Sequence, residues 1–573
     1  MPEIIREGSL EAEEPEGYLT EVTEGEEPTG VPQIHSPAQT VTTPQPQNNP
    51  SPLPSPSIPS CPPGVSDHTF ISQPQKLRNC INFWKKLDDA DFAVRLIENG
   101  LTIPFVNRQK VLEDCKYSIK SRKISSHKFK IIEAEIKSLL EQQVIEEAPN
   151  DVSLFENHVF CITKPNGKVR VVLDMKILNT CIALPKLKMF KFNYCYSACM
   201  SNQFACKIDL SNAFWHIGIH ESCKRFLGFR FDNTNYVWRA MPFGLRTAPY
   251  LFSKLMLPII KHLRKKYKIT IFDYLDDLLI LAPTEEIAIQ HVNFVIETLI
   301  NAGFSVNLEK SITSPVNNIV FLGVSIDLVN KSLVPSEENV NSCITKSRNF
   351  VKMDKALLVD FQSLIGSLNF SAPYIRFGRL NLSPIHYFHA AFEQNRVKRI
   401  PVELVDLLRF WNSASNYVAI PIPNLQGPKI VIASDASAQG WGAKVTWVSG
   451  SFNHYSRSWT ERERNKHINI KELKAAINPI LDNPSSFSNA NIRIFSDNKC
   501  TVKWLTQGTS LRSGEARELL SNVTSMAYDF AFSISAAHVK GDSNQVADSL
   551  SRSLAFNPEL VLKQARLIHC AYY

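Results

Sequence analysis

The spacing of apolar residues divides this chain into stretches of different character. Residues 1 to about 75 show no apolar period; they are rich in Glu at first, then in Pro, Ser, Gln and Thr, as in PQPQNNPSPLPSPSIPS (44–60). Such a composition buries too little apolar surface to offset its ordering entropy, which predicts disorder. Globular patterning begins near Ile81–Trp84. Between about 126 and 144, Ile131, Ile132, Ile136, Leu139 and Leu140 recur on one helical face. From about 157 the period shifts toward two. HVFCITK, a Pro165-Asn166-Gly167 turn and KVRVVLD read as a hairpin. Mixed strands and helices continue to about 328, a helical region spans about 336–412, and a second α/β pattern runs from Lys429 to near Arg552. The expected fold is therefore α+β and multidomain. Its expected divisions are a tail (1–75), a helical N-terminal extension (76–139), a first mixed domain (140–328), a mainly helical connection (329–427), a second α/β domain (428–553) and a C-terminal tail (554–573).

Charge adds a partner class to this picture. The net charge is +8, yet residues 1–67 hold ten Glu, one Asp and one Arg, so the remainder carries about +18. A basic body suggests a phosphate-bearing partner, although basic charge alone selects none. The twelve cysteines include no CxxC pair; Cys195 and Cys199 lie nearest each other, with no second pair at zinc-finger spacing. Reduced thiols inside a cell are the expectation. The N-terminus is acidic, unlike a signal peptide. The most apolar stretch, ITIFDYLDDLLILAP (269–283), is too short and too acidic to span a bilayer. A soluble, intracellular protein, cytoplasmic or nuclear and with no membrane partner, is expected.

Two segments carry the first candidate chemistry. ACKIDLSNAFWHI (205–217) is an apolar strand bearing Asp209, and FDYLDDLLI (272–280) is an apolar run interrupted by Asp276 and Asp277. Carboxylates among buried apolar residues are unfavourable unless a cation compensates them. Asp209 beside the tip of a 272–280 hairpin would assemble a site for two Mg2+ ions, with Mn2+ as a substitute.

These segments resemble the reverse transcriptase family, whose hairpin signature is Tyr/Phe-x-Asp-Asp. Companions follow in the family's order. KPNGKVRVVLDMKILN (164–179) resembles the fingers hairpin, which implies that Arg170, supported by Lys164 and Lys168, grips the incoming triphosphate. Phe214 matches the aromatic position that excludes a ribose 2′-hydroxyl; the ordinary alternative is a core side chain. MPFGLRTAPYLF (241–252) resembles the segment supporting template base and nucleotide, with Phe243 and Gly244 at its key positions. NLEKS (307–311) puts Lys310 where the family has a lysine near the triphosphate, and FLGVSID (321–327) resembles the hairpin gripping the primer end. The resemblance implies a right-hand polymerase of fingers, palm and thumb.

A second series lies downstream. VIASDASAQGWGA (431–443) ends a strand with Asp435, NIKELKAAINPI (469–480) puts Glu472 on a helix, and IRIFSDNKC (492–500) ends a strand with Asp497. AAHVKGDSNQVADSLSR (536–552) supplies His538 and Asp548. Four such carboxylates suit a second two-metal phosphodiesterase site, again with two ions. The series resembles the retroelement ribonuclease H fold, an α/β domain in which these four hold metal and the histidine assists proton transfer or product release. His538 as a loop residue without a role remains the alternative.

Together these resemblances imply a retrotransposon enzyme acting on RNA template, DNA primer, RNA–DNA hybrid and dNTPs. NGLTIPF (99–105), DASAQGWGA (435–443) and INIKEL (468–473) look most like DIRS-type elements, which implies a separately encoded recombinase and a coat protein as partners. Neither an Asp-Thr/Ser-Gly protease signature nor a His-His-Cys-Cys integrase pattern occurs. Two alternatives stand: an inactive or domesticated nucleic-acid-binding derivative of such an element, and a ribonuclease whose polymerase half only binds substrate.

Overall fold

The computed structural model describes residues 73–107, 111, 126–149, 154–155, 157–163, 169–183, 192–392, 396–424 and 427–552. Within these the fold is α+β and multidomain, as the pattern predicts. The expected tails 1–75 and 554–573 lie outside the described residues except at 73–75. There the boundary needs correction, because a helix already begins at Gln73 and runs to Asn79. Pro74 suits a first helical turn, where its missing N–H is no loss. The hold comes from distant partners and leaves no local period. Leu77 is buried, and the Trp84 indole donates to the Ala302 carbonyl at 2.9 Å. Gly303, at φ +90°, lets this segment approach closely, since a Cβ there would lie 2.6 Å from the Lys76 carbonyl oxygen. The helical extension thus shares one core with the first mixed domain.

That domain is centred on a four-stranded sheet ordered Thr270–Tyr274, Asp277–Ala282, Phe204–Asp209, Ile312–Val316. The strand Asp277–Ala282 is covered on both faces, which explains its unbroken apolar run. Leu278, Ile280 and Ala282 enter the core beneath helices Ala248–Tyr267 and Glu285–Asn301, while Leu279 and Leu281 enter a second core with Phe321 and Ile326. The expected 157–174 hairpin forms between His158–Thr163 and Val169–Asp174, with its turn outside the described residues. The FLGVSID segment contributes to a hairpin of Asn318–Phe321 and Val324–Asp327, turning through Leu322 and Gly323, both at positive φ.

The connection is mainly helical, with helices Glu337–Val351, Leu358–Ser371, Gly378–His386 and Val402–Leu408 around Phe361, Leu368 and Trp411. It also holds short strands that local pattern does not reveal. Ser332–Pro335 pairs with Ile420–Pro421, a contact made only by tertiary folding.

The C-terminal domain is a five-stranded sheet ordered Phe452–Ser458, Gly440–Thr446, Lys429–Ala436, Asn491–Ser496, Ser533–His538. The first three strands are antiparallel and the last two join in parallel. Helix Ile468–Asp482 packs on the strands Lys429–Ala436 and Gly440–Thr446. Helix Gln545–Arg552 packs on the same two strands, pressed so closely that a Cβ on Gly442 would sit 2.5 Å from Leu550 Cβ and 2.6 Å from the Ala547 carbonyl oxygen. Gly442→Ala is accordingly expected to destabilise this domain by about 1–3 kcal/mol, the usual effect of overpacking. An unchanged denaturation midpoint would contradict the close approach.

Candidate active sites

Antiparallel pairing assembles the first site. Asp209 ends its strand directly opposite Asp277, the first residue of the neighbouring strand. Tyr274 pairs with Asp277, so Leu275 and Asp276 form a two-residue turn in which Leu275 adopts φ +56°. The Asp276 carbonyl accepts from the Leu210 N–H at 3.0 Å, which ties that turn to the Asp209 strand. The Asp209 N–H donates to Ser311 Oγ at 3.0 Å.

Like charges directly opposite across a strand pair destabilise it. Burial, and then the repulsion of Asp276 and Asp277, raises the Asp209 carboxyl above its usual range, while Lys310 opposes this. Burial and Asp277 likewise raise Asp276. Lys207, two residues before Asp209, contacts an Asp277 oxygen at 2.9 Å, and Lys310 Nζ lies 3.8 Å from Asp209 Oδ1. Lys207 is a site residue that sequence reading missed. Its signal was the alternation of the strand, which puts positions 207 and 209 on one face.

Of the other expected residues, the structure brings Phe214 and Phe243 together. Phe214 lies in the short helix Ala213–His216, half-buried, with its ring centroid 5.3 Å from Phe243 and 5.8 Å from Phe252. Gly244, at φ +99°, accepts from Asn179 Nδ2 at 2.9 Å; a Cβ there would sit 3.3 Å from Met175 Cε. Arg170 lies on the strand Val169–Asp174 opposite Ile162. Its side chain, like Lys164 and Lys168, is outside the described residues.

The second site is tighter. Asp435 (on its strand), Glu472 (on helix Ile468–Asp482) and Asp497 (just past its strand) each offer an oxygen within 4.8 Å of the others. Among the described residues this is the only acidic trio so close. Asp435 and Glu472 are each 5 % exposed, and Glu472 Oε2 is buried without a hydrogen-bond partner. Burial, then Asp435 and Asp497, pushes Glu472 up to about 8. Burial also raises Asp435, with Asp497 and Asp548 adding to it and the Ser551 hydroxyl opposing. Asp548 stands at the rim, outside the trio. An orphaned buried oxygen among mutually repelling carboxylates is a donor set suited to a hard divalent cation.

Polar side chains hold this cluster in place. Asn498 accepts from the Thr501 N–H and donates to Asn469, linking the residue after Asp497 to the Glu472 helix. Asn544 donates to the Ser434 carbonyl, Ser551 Oγ to Asp435 Oδ2 at 2.6 Å, and Arg552 Nε to Asp548 Oδ1 at 2.7 Å. His538 Nε2 lies 3.0 Å from the Asp497 carbonyl oxygen. Asn544, Ser551 and Arg552 were visible in the 536–552 motif, yet their roles depend on contacts that spacing does not disclose.

A folded carboxyl raised above its unfolded value binds its proton more tightly when folded, so stability falls as pH rises from about 4.5 to about 8. In chelator, the unaltered chain should therefore lose stability relative to Glu472→Gln over that window, and Mg2+ should restore it at the upper end. Parallel unfolding midpoints for the two proteins at every pH, with no response to Mg2+, would contradict this.

The comparisons with known proteins bear on the first site. Residues 162–326 match the family model described as reverse transcriptase (RNA-dependent DNA polymerase). The chain is 25 % identical to Polyprotein P3 of Commelina yellow mottle virus over 414 residues, 68 % of this chain and 20 % of that protein. It is also 25 % identical to the enzymatic polyprotein of Cauliflower mosaic virus (strain Strasbourg) over 451 residues, 76 % of this chain and 62 % of that one. The chain thus spans less than two thirds of these relatives' length. Among solved structures, a foamy viral protease–reverse transcriptase in complex with double-stranded DNA aligns with 18 % identity and a TM-score of 0.48, covering 84 % of each chain. The stretch that forms the sheet of Asp209, Asp276 and Asp277 lies within the residues that match the reverse transcriptase model.

Proposed function

We propose that the protein is an RNA-directed DNA polymerase that also cleaves the RNA strand of RNA–DNA hybrids, copying a retrotransposon RNA into DNA. The observation that carries this reading is the register of Asp209 against Asp277, with Asp276 in the adjoining turn, inside a reverse transcriptase domain. The second carboxylate cluster, on a separate sheet, supports the cleavage activity. Asp209, Asp276 and Asp277 would hold magnesium at the first site; Asp435, Glu472, Asp497 and Asp548 would hold it at the second. Bound magnesium supplies positive charge that acidifies an attacking hydroxyl or water and stabilises the leaving oxygen.

The chain's own groups do the rest. Arg170, with Lys164 and Lys168, would bind triphosphate from the fingers hairpin, and Lys310 stands beside Asp209 for the same anion. Phe243 and Gly244 would support the template base and the nucleotide. Phe214 would bar the 2′-hydroxyl. His538, exposed and beside the Asp497 carbonyl, would pass a proton or speed product release. RNA template, DNA primer and dNTPs are the substrates on this reading. NGLTIPF, DASAQGWGA and INIKEL support a DIRS-type element, whose separately encoded recombinase and coat protein would be partners. A recombinase gene beside this one would test that assignment.

Each site should fail independently, because each substitution removes a ligand from one metal pair. Asp276→Asn is expected to abolish DNA synthesis and spare hybrid cleavage, and Asp497→Asn to do the reverse. A folded variant that lost both activities would contradict the two-site reading. For sugar selection, Phe214→Ala should raise ribonucleotide use relative to deoxyribonucleotide use about tenfold, read as the ratio of kcat/KM on one template. Equal losses on both substrates would return Phe214 to a packing role beside Phe243 and Phe252.

A further inference from the structure

A cavity of about 510 Å³ opens beside the second carboxylate cluster, between the turn Ala438–Gly440, the strand end Ser456–Ser458 and the helix end Leu550–Arg552. Arg457, Arg464 and Arg552 line it together with Ser456, Ser458 and Ser551, and among the described residues no carboxylate does. Each arginine is tethered through one nitrogen. Arg457 Nη1 meets Asp482 Oδ2 at 3.0 Å, Arg464 Nε donates to the Trp459 carbonyl at 3.4 Å, and Arg552 Nε meets Asp548 Oδ1 at 2.7 Å. A guanidinium has five N–H donors, so each arginine keeps donors beyond its tether, and Arg457 lies over the Trp441 ring at 5.9 Å. Planar forks beside hydroxyl donors match the oxygens of a phosphate diester.

The cavity and the carboxylate cluster share a wall. Ser551 lines the cavity and donates to Asp435; Arg552 lines it and pairs with Asp548. An anion in the cavity would therefore sit within one or two residues' reach of the catalytic carboxylates. We propose that this cavity binds a backbone phosphate of the RNA strand, adjacent to the bond being cut, an inference that rests on the ribonuclease reading of the cluster. The cleaved strand is the one indicated, because its scissile phosphate must lie on the carboxylates and its neighbours along the same backbone fall nearest the shared wall. The carboxylates provide no attraction for those neighbours. The three arginines do, and they fix the register in which the strand enters.

The test uses the full chain with Arg457→Gln and Arg464→Gln combined, leaving Arg552 and its Asp548 pair intact. KM for cleavage of an RNA–DNA hybrid should rise about tenfold with kcat nearly unchanged, the effect of losing charged hydrogen bonds made alike in ground and transition states. In an Asp497→Asn background that leaves the hybrid uncut, the slope of log affinity against log salt should fall by about one, since one phosphate loses its partners. Arg457→Lys with Arg464→Lys keeps the charge and should restore the salt slope, with KM between the two. Primer extension and the unfolding midpoint, unchanged in all variants, establish that the fold is intact. Cleavage by the double glutamine variant with unaltered KM and salt slope would overturn the phosphate cavity alone. Absence of hybrid cleavage by the unaltered chain would overturn the ribonuclease reading and this inference with it.

Discussion

The constraint on which this structure turns is the repulsion between carboxylates brought together out of water. Asp209, Asp276 and Asp277 meet where two interior strands of the first sheet adjoin; Asp435, Glu472 and Asp497 meet between the second sheet and a helix, within 4.8 Å. Neither arrangement favours folding by itself, as the raised Asp209, Asp276, Asp435 and Glu472 carboxyls record. The two sites meet the problem differently. At the first, Lys207 and Lys310 supply part of the missing charge. At the second no lysine pairs with the trio among the described residues, and Glu472 keeps an unpartnered buried oxygen. On the proposed reading, the second site would be the more dependent on an added cation.

Holding repelling groups in place requires a rigid surround, and the rest of the fold supplies it. The strand Asp277–Ala282 alternates its side chains into two separate cores, fixing its register on both faces. The helical extension packs Trp84 and Leu77 into the first of those cores, so a segment outside the matched family region braces the same sheet. In the C-terminal domain, Gly442 lets helix Gln545–Arg552 lie directly on the sheet, and Asn544 and Ser551 pin it to the strand of Asp435.

Much of this is legible in sequence because it is periodic or punctuated. The turn residues at 165–167, the apolar strands ending in Asp435 and Asp497, and the acidic interruption at 276–277 all mark elements that the structure places where expected. What could not be read depends on distant contacts. The helix Gln73–Asn79 looks like part of a polar tail until Leu77 finds its core, and the pairing of Ser332–Pro335 with Ile420–Pro421 joins residues almost ninety apart. The roles of Lys207, Asn498 and Ser551 are of the same kind, since each acts through a partner on another strand or helix. The carboxylates themselves stand out in sequence because charge within an apolar run is conspicuous. Their supporting hydroxyls and amides are ordinary residues anywhere else.

The most direct test is a single reaction containing purified full chain, a DNA primer on an RNA template, dNTPs and magnesium, followed for both strands. The account predicts extended DNA together with shortening of the template RNA, both abolished by chelation and restored by adding magnesium back. A folded protein that binds the primed template in magnesium yet neither extends the primer nor shortens the RNA would contradict it.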